Sequence, residues 1–205
     1  MFQQWHNVHA VPFEDSTLAQ VEGMQRQGAQ FLRHRAIQAG GVSIAELADR
    51  LYGDREAGIR DPAGNDWYIG THQGGTHVPV GLRTVTPSLH VHGADKFIEF
   101  LQNSFGAEEP SIHRAPDGTI SYAQIKIGDS IIEMSEAHGP YQPKPVAIHV
   151  YVPDADAVYK RAIEAGGTSL GEPKDQPYGE RSGGVKDPFG NHWYIATRIS
   201  EGSGN

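Results

Sequence analysis

The chain contains no cysteine. Disulfides, thiolate-bound zinc and cysteine nucleophiles are therefore excluded. No apolar run approaches the roughly 20 residues that a membrane-crossing helix requires. Positive charge is scarce: 17 Lys+Arg stand against 25 Asp+Glu, a formal net charge of -8. Such a surface offers little to nucleic acid or to an anionic membrane, and neither is expected as a partner. The opening stretch, MFQQWHNVHAVPFEDS, lacks the basic-then-apolar pattern of a secretory signal, so the expected location is the cytoplasm. Histidine, by contrast, is plentiful, with 11 in 205 residues, and supplies the only soft metal ligands. The length suits one large domain, or one domain with an appendage.

An internal repeat organises the chain. Residues 35–72 (RAIQAGGVSIAELADRLYGDREAGIRDPAGNDWYIGTH) and 161–198 (RAIEAGGTSLGEPKDQPYGERSGGVKDPFGNHWYIATR) share 21 of 38 positions at a constant offset of 126, without a gap. Chance does not produce that, so one segment reads as a copy of the other. RAIQAGG and RAIEAGG are helix ends, with Gly41 and Gly167 expected in the left-handed cap. DPAGN and DPFGN are turns, because Pro presets one dihedral and Gly supplies the positive one. WYIGT and WYIAT are aromatic, β-branched strands directly after those turns.

The middle of the chain continues the pattern. Residues 84–91 read as a strand. From 94 to 105, Phe97, Ile98, Leu101 and Phe105 keep a helical period, and Gly106 stops the helix. APDG at 115–118 is a turn, 120–127 (ISYAQIKI) alternates as a half-buried strand, and 131–135 (IIEMS) is another. Residues 144–152 form a strand, and 154–165 a helix with Asp154 as its cap. The order is strand, helix, then strands, twice over: βαβββ modules at residues 81–136 and 146–199. Residues 1–75 give a helix from about 16 to 39 and the final turn and strand, but no first strand unless NVHAVPF replaces it. They read as an incomplete, duplicated half-module, joined by GGTHVPVG to a complete domain at 81–199.

These strings, TVTPSLHVHGADKFIEFLQNSFGAEE, DGTISYAQIKIGDSIIEMSE, VAIHVYVPDADAVYKRAIEAGG and YGERSGGVKDPFGNHWYIATR, resemble the vicinal oxygen chelate superfamily of glyoxalases, bleomycin-resistance proteins and dioxygenases, and within it the PhnB-like branch. The resemblance implies an α+β fold in which paired βαβββ modules form an eight-stranded U-shaped mixed sheet. It specifies the fold far better than the reaction, since the superfamily hosts lyases, epimerases, dioxygenases, thiol transferases and drug binders. Catalytic members hold a divalent metal in the cavity, on residues from the first and last strands of each module.

By motif spacing, those ligand positions fall here at Thr86, Glu133, Ala147 and Tyr194. Only Glu133 is a good ligand: Ala147 has no donor atom and neutral tyrosine is a poor one. The usual metal site reads as dismantled. Strand side chains alternate faces, so Ser88 and His90 are expected to join Thr86 in the cavity, Ile131 and Ser135 to join Glu133, His149 and Tyr151 to follow Ala147, and His192 to accompany Tyr194. The strand at 120–127 adds Tyr122 and Gln124, and Arg181, in YGERSGG, is expected either to anchor the loop over the cavity or to contact an anionic ligand. Trp193, and Trp67 in its copy, are expected to face away and pack on helices. Glu133 reads either as a general base among apolar neighbours or as the partner of Lys126 or His90. Two imidazoles and a carboxylate, His90, Glu133 and His149, could form a displaced site for Zn, Ni, Fe or Mn. The favoured function is a non-catalytic or weakly catalytic binder of a small organic ligand in the cavity, without the usual metal site. The alternative is a divalent-metal lyase, isomerase or dioxygenase on the displaced ligands. The family resemblance implies a homodimer.

Overall fold

In the computed structural model the described residues are 28–50, 53–73 and 78–199. The chain forms two compact units, Met1–Val80 and Gly81–Asn205. The first holds helix α1 (Gly28–Gln38) and strands β1 (Val42–Asp49), β2 (Asp54–Arg60) and β3 (Asp66–His72), in an antiparallel sheet of order β1-β2-β3. Among the described residues this unit shows a helix and three strands in the order of a module, with no strand before the helix. The part of the expected helix at 16–27, NVHAVPF, and His6, His9 and His77 lie outside the described residues.

The second unit runs β4 (Ser88–Val91), α2 (Ala94–Phe105), β5 (Glu108–Arg114), β6 (Ile120–Ile127), β7 (Ser130–Glu136), then β8 (Ala147–Tyr151), α3 (Ala155–Glu164), β9 (Thr168–Asp175), β10 (Glu180–Lys186) and β11 (His192–Arg198). Its eight strands make two four-stranded sheets, β4-β7-β6-β5 and β8-β11-β10-β9. In each, the first strand of the module lies parallel to the last and the other pairings are antiparallel. A single eight-stranded sheet was expected. Instead the modules meet through their helices, which bury their apolar stripes against each other and leave the sheets without a shared ladder among the described residues.

That helix contact is the core. Phe97 and Leu101 of α2 are fully buried together with Ile120, Ile125, Met134, Val185, Trp193 and Ile195 from the sheets. Burial of each such side chain stabilises the fold by about 1.5–3 kcal/mol. Contacts cross between the modules: Phe105 lies 4.6 Å from Trp193 between ring centroids, Phe97 lies 5.0 Å from Phe189, and Arg161 Nε donates to the Ser104 carbonyl at 3.1 Å.

The last strand of each module caps its helix. Residue Gly93 provides α2 with no side-chain cap. Glu136 of β7 instead accepts from the Gly93 and Ala94 N–H groups at 2.8 and 2.9 Å, placing a carboxylate at the positive end of the helix dipole. Thr197 does the same for Ala155 at 2.8 Å, alongside the expected Asp154 cap, which accepts from Ala157. Thr71 does so for Ala29 at 2.8 Å.

The expected roles of the paired glycines are exchanged. The positive φ falls on Gly40 (92°) and Gly166 (101°), one residue before Gly41 and Gly167. The second glycine is required for space. A Cβ on Gly167 would sit 2.4 Å from Val185 Cγ1 and 2.7 Å from the Ala162 carbonyl oxygen, and one on Gly41 would sit 2.8 Å from Ile59 Cγ2.

Candidate functional site

The sheet faces turned away from the helices carry the polar side chains. On β7, Ile132 and Met134 point to the core while Glu133 is half-buried on the other face. On β6, Ala123 and Ile125 are fully buried, which leaves Tyr122 and Gln124 beside Glu133. These three form a chain of hydrogen bonds: Gln124 Nε2 donates to the Tyr122 hydroxyl at 2.8 Å, and the hydroxyl donates to Glu133 Oε1 at 2.6 Å. Of the two partners expected for Glu133, Lys126 pairs with Glu108 (3.2 Å), and His90 Nδ1 lies 2.8 Å from Ser135 Oγ. Both His90 and Ser135 share this face, and Ser88 stands opposite Glu133 in the parallel ladder. Tyr141, in the connection between the modules, packs 5.1 Å from His90 and 5.1 Å from His138.

The second sheet carries a separate cluster. His149 and Tyr151 stack at 4.6 Å. The Tyr151 hydroxyl donates to Glu180 Oε1 at 2.8 Å, and His149 Nε2 lies 3.8 Å from the other oxygen. The carboxylate raises the Tyr151 pKa above the usual phenol value, chiefly because the bound hydroxyl proton is held. Tyr194 is opposite His149 and His192 opposite Ala147 in the parallel ladder. Tyr151 and Tyr194 are exposed aromatic surfaces.

The sequence reading missed Glu180. It took YGERSGG as a loop, whereas 180–186 is β10, paired through the DPFGN turn with β11. Carrying the alternation across that hairpin places Tyr194, Gly184, Ser182 and Glu180 on one face. The same parity corrects Arg181, which belongs to the helix side. Its guanidinium donates to Asp156 on α3 (Nη2, 2.7 Å) and to Asp175 on β9 (Nη1, 2.9 Å). Hydrogen bonding to Arg181 lowers the Asp156 pKa. Tyr141 and Glu136 carried no periodic signal in the sequence.

The four family ligand positions do not fit a metal. The strand expected from residue 84 begins at Ser88, so Thr86 lies ahead of the strand, where its hydroxyl donates to the Arg83 carbonyl at 3.0 Å. Glu133 is bonded to Tyr122, Ala147 has no donor atom, and Tyr194 is an exposed phenol. The displaced set is not assembled either. His90 and Glu133 are on one sheet and His149 on the other, and among the described residues no three His, Asp or Glu stand close enough to hold an ion. Among the remaining histidines, His72 pairs with Asp54 at 2.7 Å and His92 is exposed beside the start of α2. No helix of the described residues is long and apolar enough to cross a membrane.

Comparison with known proteins agrees with the fold. A family model described as Glyoxalase/Bleomycin resistance protein/Dioxygenase superfamily matches residues 83–195. An uncharacterized protein of Mycobacterium bovis is 34% identical over 128 residues, covering 57% of this chain and 84% of that protein. An uncharacterized protein of Mycobacterium tuberculosis matches at 34% identity, over 75% of its length. The fold of a glyoxalase I mutant from Zea mays superposes with a TM-score of 0.62 at 17% identity, covering 82% of this chain and 63% of that one. That coverage exceeds the share of the chain in Gly81–Asn205, so the likeness of fold extends into the N-terminal unit.

Proposed function

The chain belongs to the Glyoxalase/Bleomycin resistance protein/Dioxygenase superfamily, and from that membership we propose that it is a binder of a small organic ligand that does not use the metal site of catalytic members. The observation that carries this reading is the Gln124–Tyr122–Glu133 hydrogen-bond chain. It fixes one oxygen of a half-buried carboxylate and directs the group at the sheet face rather than at a cation. Ser88, His90, His149, Tyr151, His192 and Tyr194 add aromatic and hydrogen-bonding surface on the same sides of the two sheets. Such lining suits a planar organic molecule that carries a hydrogen-bond donor or a positive charge for Glu133. The protein acts as a homodimer and assembles without nucleic acid or membrane.

The test is a ligand screen by thermal shift on wild type and Glu133→Gln, with elemental analysis of protein purified without chelator. We expect no stoichiometric Zn, Ni, Fe or Mn. A hit near 100 times its Kd should stabilise wild type by about 2.7 kcal/mol, and Glu133→Gln should weaken binding about tenfold or more, the worth of one charge-assisted hydrogen bond. About one metal ion per chain, lost in Glu133→Ala, would overturn the reading in favour of a metal-dependent lyase or dioxygenase.

A further inference from the structure

The two repeats share several side-chain hydrogen bonds at the offset of 126 residues. Trp67 Nε1 donates to Asp61 Oδ2 at 2.9 Å as Trp193 Nε1 does to Asp187 Oδ2 at 2.9 Å. Asn65 Nδ2 bonds Asp61 as Asn191 Nδ2 bonds Asp187, each at 2.9 Å. Arg55 reaches Asp49 at 2.8 Å as Arg181 reaches Asp175 at 2.9 Å. Thr71 and Thr197 cap their helices at the same 2.8 Å. Burial does not follow. Trp193 is 0% exposed and Trp67 50%, while Val158 is 5% exposed and its counterpart Leu32 51%. Trp67 therefore departs from the expectation that both tryptophans pack away.

The C-terminal repeat shows what covers this face. Trp193, Val158 and Ala162 lie under α2 of the sister module, with Phe105 on the Trp193 ring. The natural cover for the Trp67 face is accordingly the helix of another module of the same architecture. The two C-terminal modules already spend theirs on each other, since α2 and α3 bury their stripes in one core. Among the described residues the module whose matching stripe is exposed is the N-terminal unit, and a second copy supplies another such stripe. Pairing like with like across a two-fold axis is the symmetric equivalent of the α2–α3 contact and is self-complementary.

We propose that the N-terminal units of two chains pair through α1 and β3, burying Leu32, Ala36 and Trp67 of each in the manner of Val158, Ala162 and Trp193. This deepens the homodimer part of the proposed function by naming its interface, and it is independent of the ligand site.

The test is the mass in solution of the full chain against concentration, by sedimentation equilibrium, for wild type, Leu32→Glu and a Leu170→Glu control. Leu32 and Leu170 are both about half exposed, at 51% and 47%, so neither change strains the folded chain. We expect a wild-type mass of twice 22.3 kDa, association weakened at least about tenfold by Leu32→Glu, and no effect of Leu170→Glu. Acrylamide quenching in a Trp5→Phe background reads Trp67, because Trp193 is buried, and should fall as the dimer forms. A monomer at all concentrations overturns both the dimer and its interface. A dimer indifferent to Leu32→Glu overturns the interface alone, as does quenching that is low at every concentration, which would show the face covered within one chain. Ligand binding by wild type, with loss in Glu133→Gln, is read separately from all of these.

Discussion

At the scale of single residues, Asp187 and Asp61 form a natural experiment. Each carboxylate anchors a DPxGNxW turn by accepting from an asparagine amide, the same asparagine's backbone N–H and a tryptophan indole. Asp187 is 2% exposed, so its removal leaves buried donors without partners. Asp187→Ala should cost about 3 kcal/mol or more in chemical denaturation, since each stranded donor loses about 1–3 kcal/mol. Asp61→Ala should cost much less, because water replaces the lost acceptor. Equal costs would mean that burial does not set the value of these bonds. For Asp61, hydrogen bonds from Trp67 and Asn65 pull the pKa down to about 2 from 3.8. A carboxylate with a depressed folded pKa stabilises fully above its unfolded value and loses that contribution as pH falls. The Asp61 contribution should therefore fade between about pH 4 and 2, and the pH dependence of N-terminal unit stability in that window should flatten in Asp61→Asn.

At the scale of elements, the last strand of each module fixes the start of its helix: Glu136 to Ala94, Thr197 to Ala155 and Thr71 to Ala29. In α2 the carboxylate comes from that last strand alone, since the preceding residue, Gly93, has no side chain to offer, whereas α3 also has Asp154. Glu136→Ala should then cost about 2 kcal/mol, the value of charge-assisted bonds to two N–H groups at a helix N-terminus. Glu136→Gln should recover part of it. A loss below about 0.5 kcal/mol, the level of an ordinary surface change, would show that water caps α2 equally well. These caps link residues about 43 positions apart, such as Gly93 and Glu136, so no local pattern announced them. The elements that were legible owe it to strong periodicity. The apolar stripe of α2 and the alternation of β6 gave their bounds, Ala94–Phe105 and Ile120–Ile127, directly. Strands β2 (DREAGIR) and β9 (TSLGEPKD) were not individually legible, being rich in charge and glycine with few β-branched residues. The site divides in the same way. Strand parity placed Tyr122, Gln124, Glu133, His90 and His149, whereas Glu180 and Arg181 required knowing that 180–186 is a strand and not a loop.

At the scale of the molecule, the two units differ in how much core they own. Among the described residues the N-terminal unit fully buries Ala29, Ala57 and Ile59, with little apolar bulk among them. The unit Gly81–Asn205 buries a continuous cluster that includes Phe97, Phe100, Leu101, Met134, Trp193 and Ile195. A small unit with so few large buried side chains has little hydrophobic free energy to set against its chain entropy. Calorimetry on the full chain should therefore resolve two unfolding steps, the first belonging to the N-terminal unit and followed, in the Trp5→Phe background, by the emission of Trp67. Association that buries Leu32 and Trp67 is mass action on that first step alone. Raising the protein concentration tenfold should move the first midpoint upward by a few degrees and leave the second in place, while a ligand held at Glu133 should move the second and leave the first. A single cooperative transition would mean that the core of Gly81–Asn205 carries the N-terminal unit with it, and the exposed Trp67 face would then need no partner to remain folded.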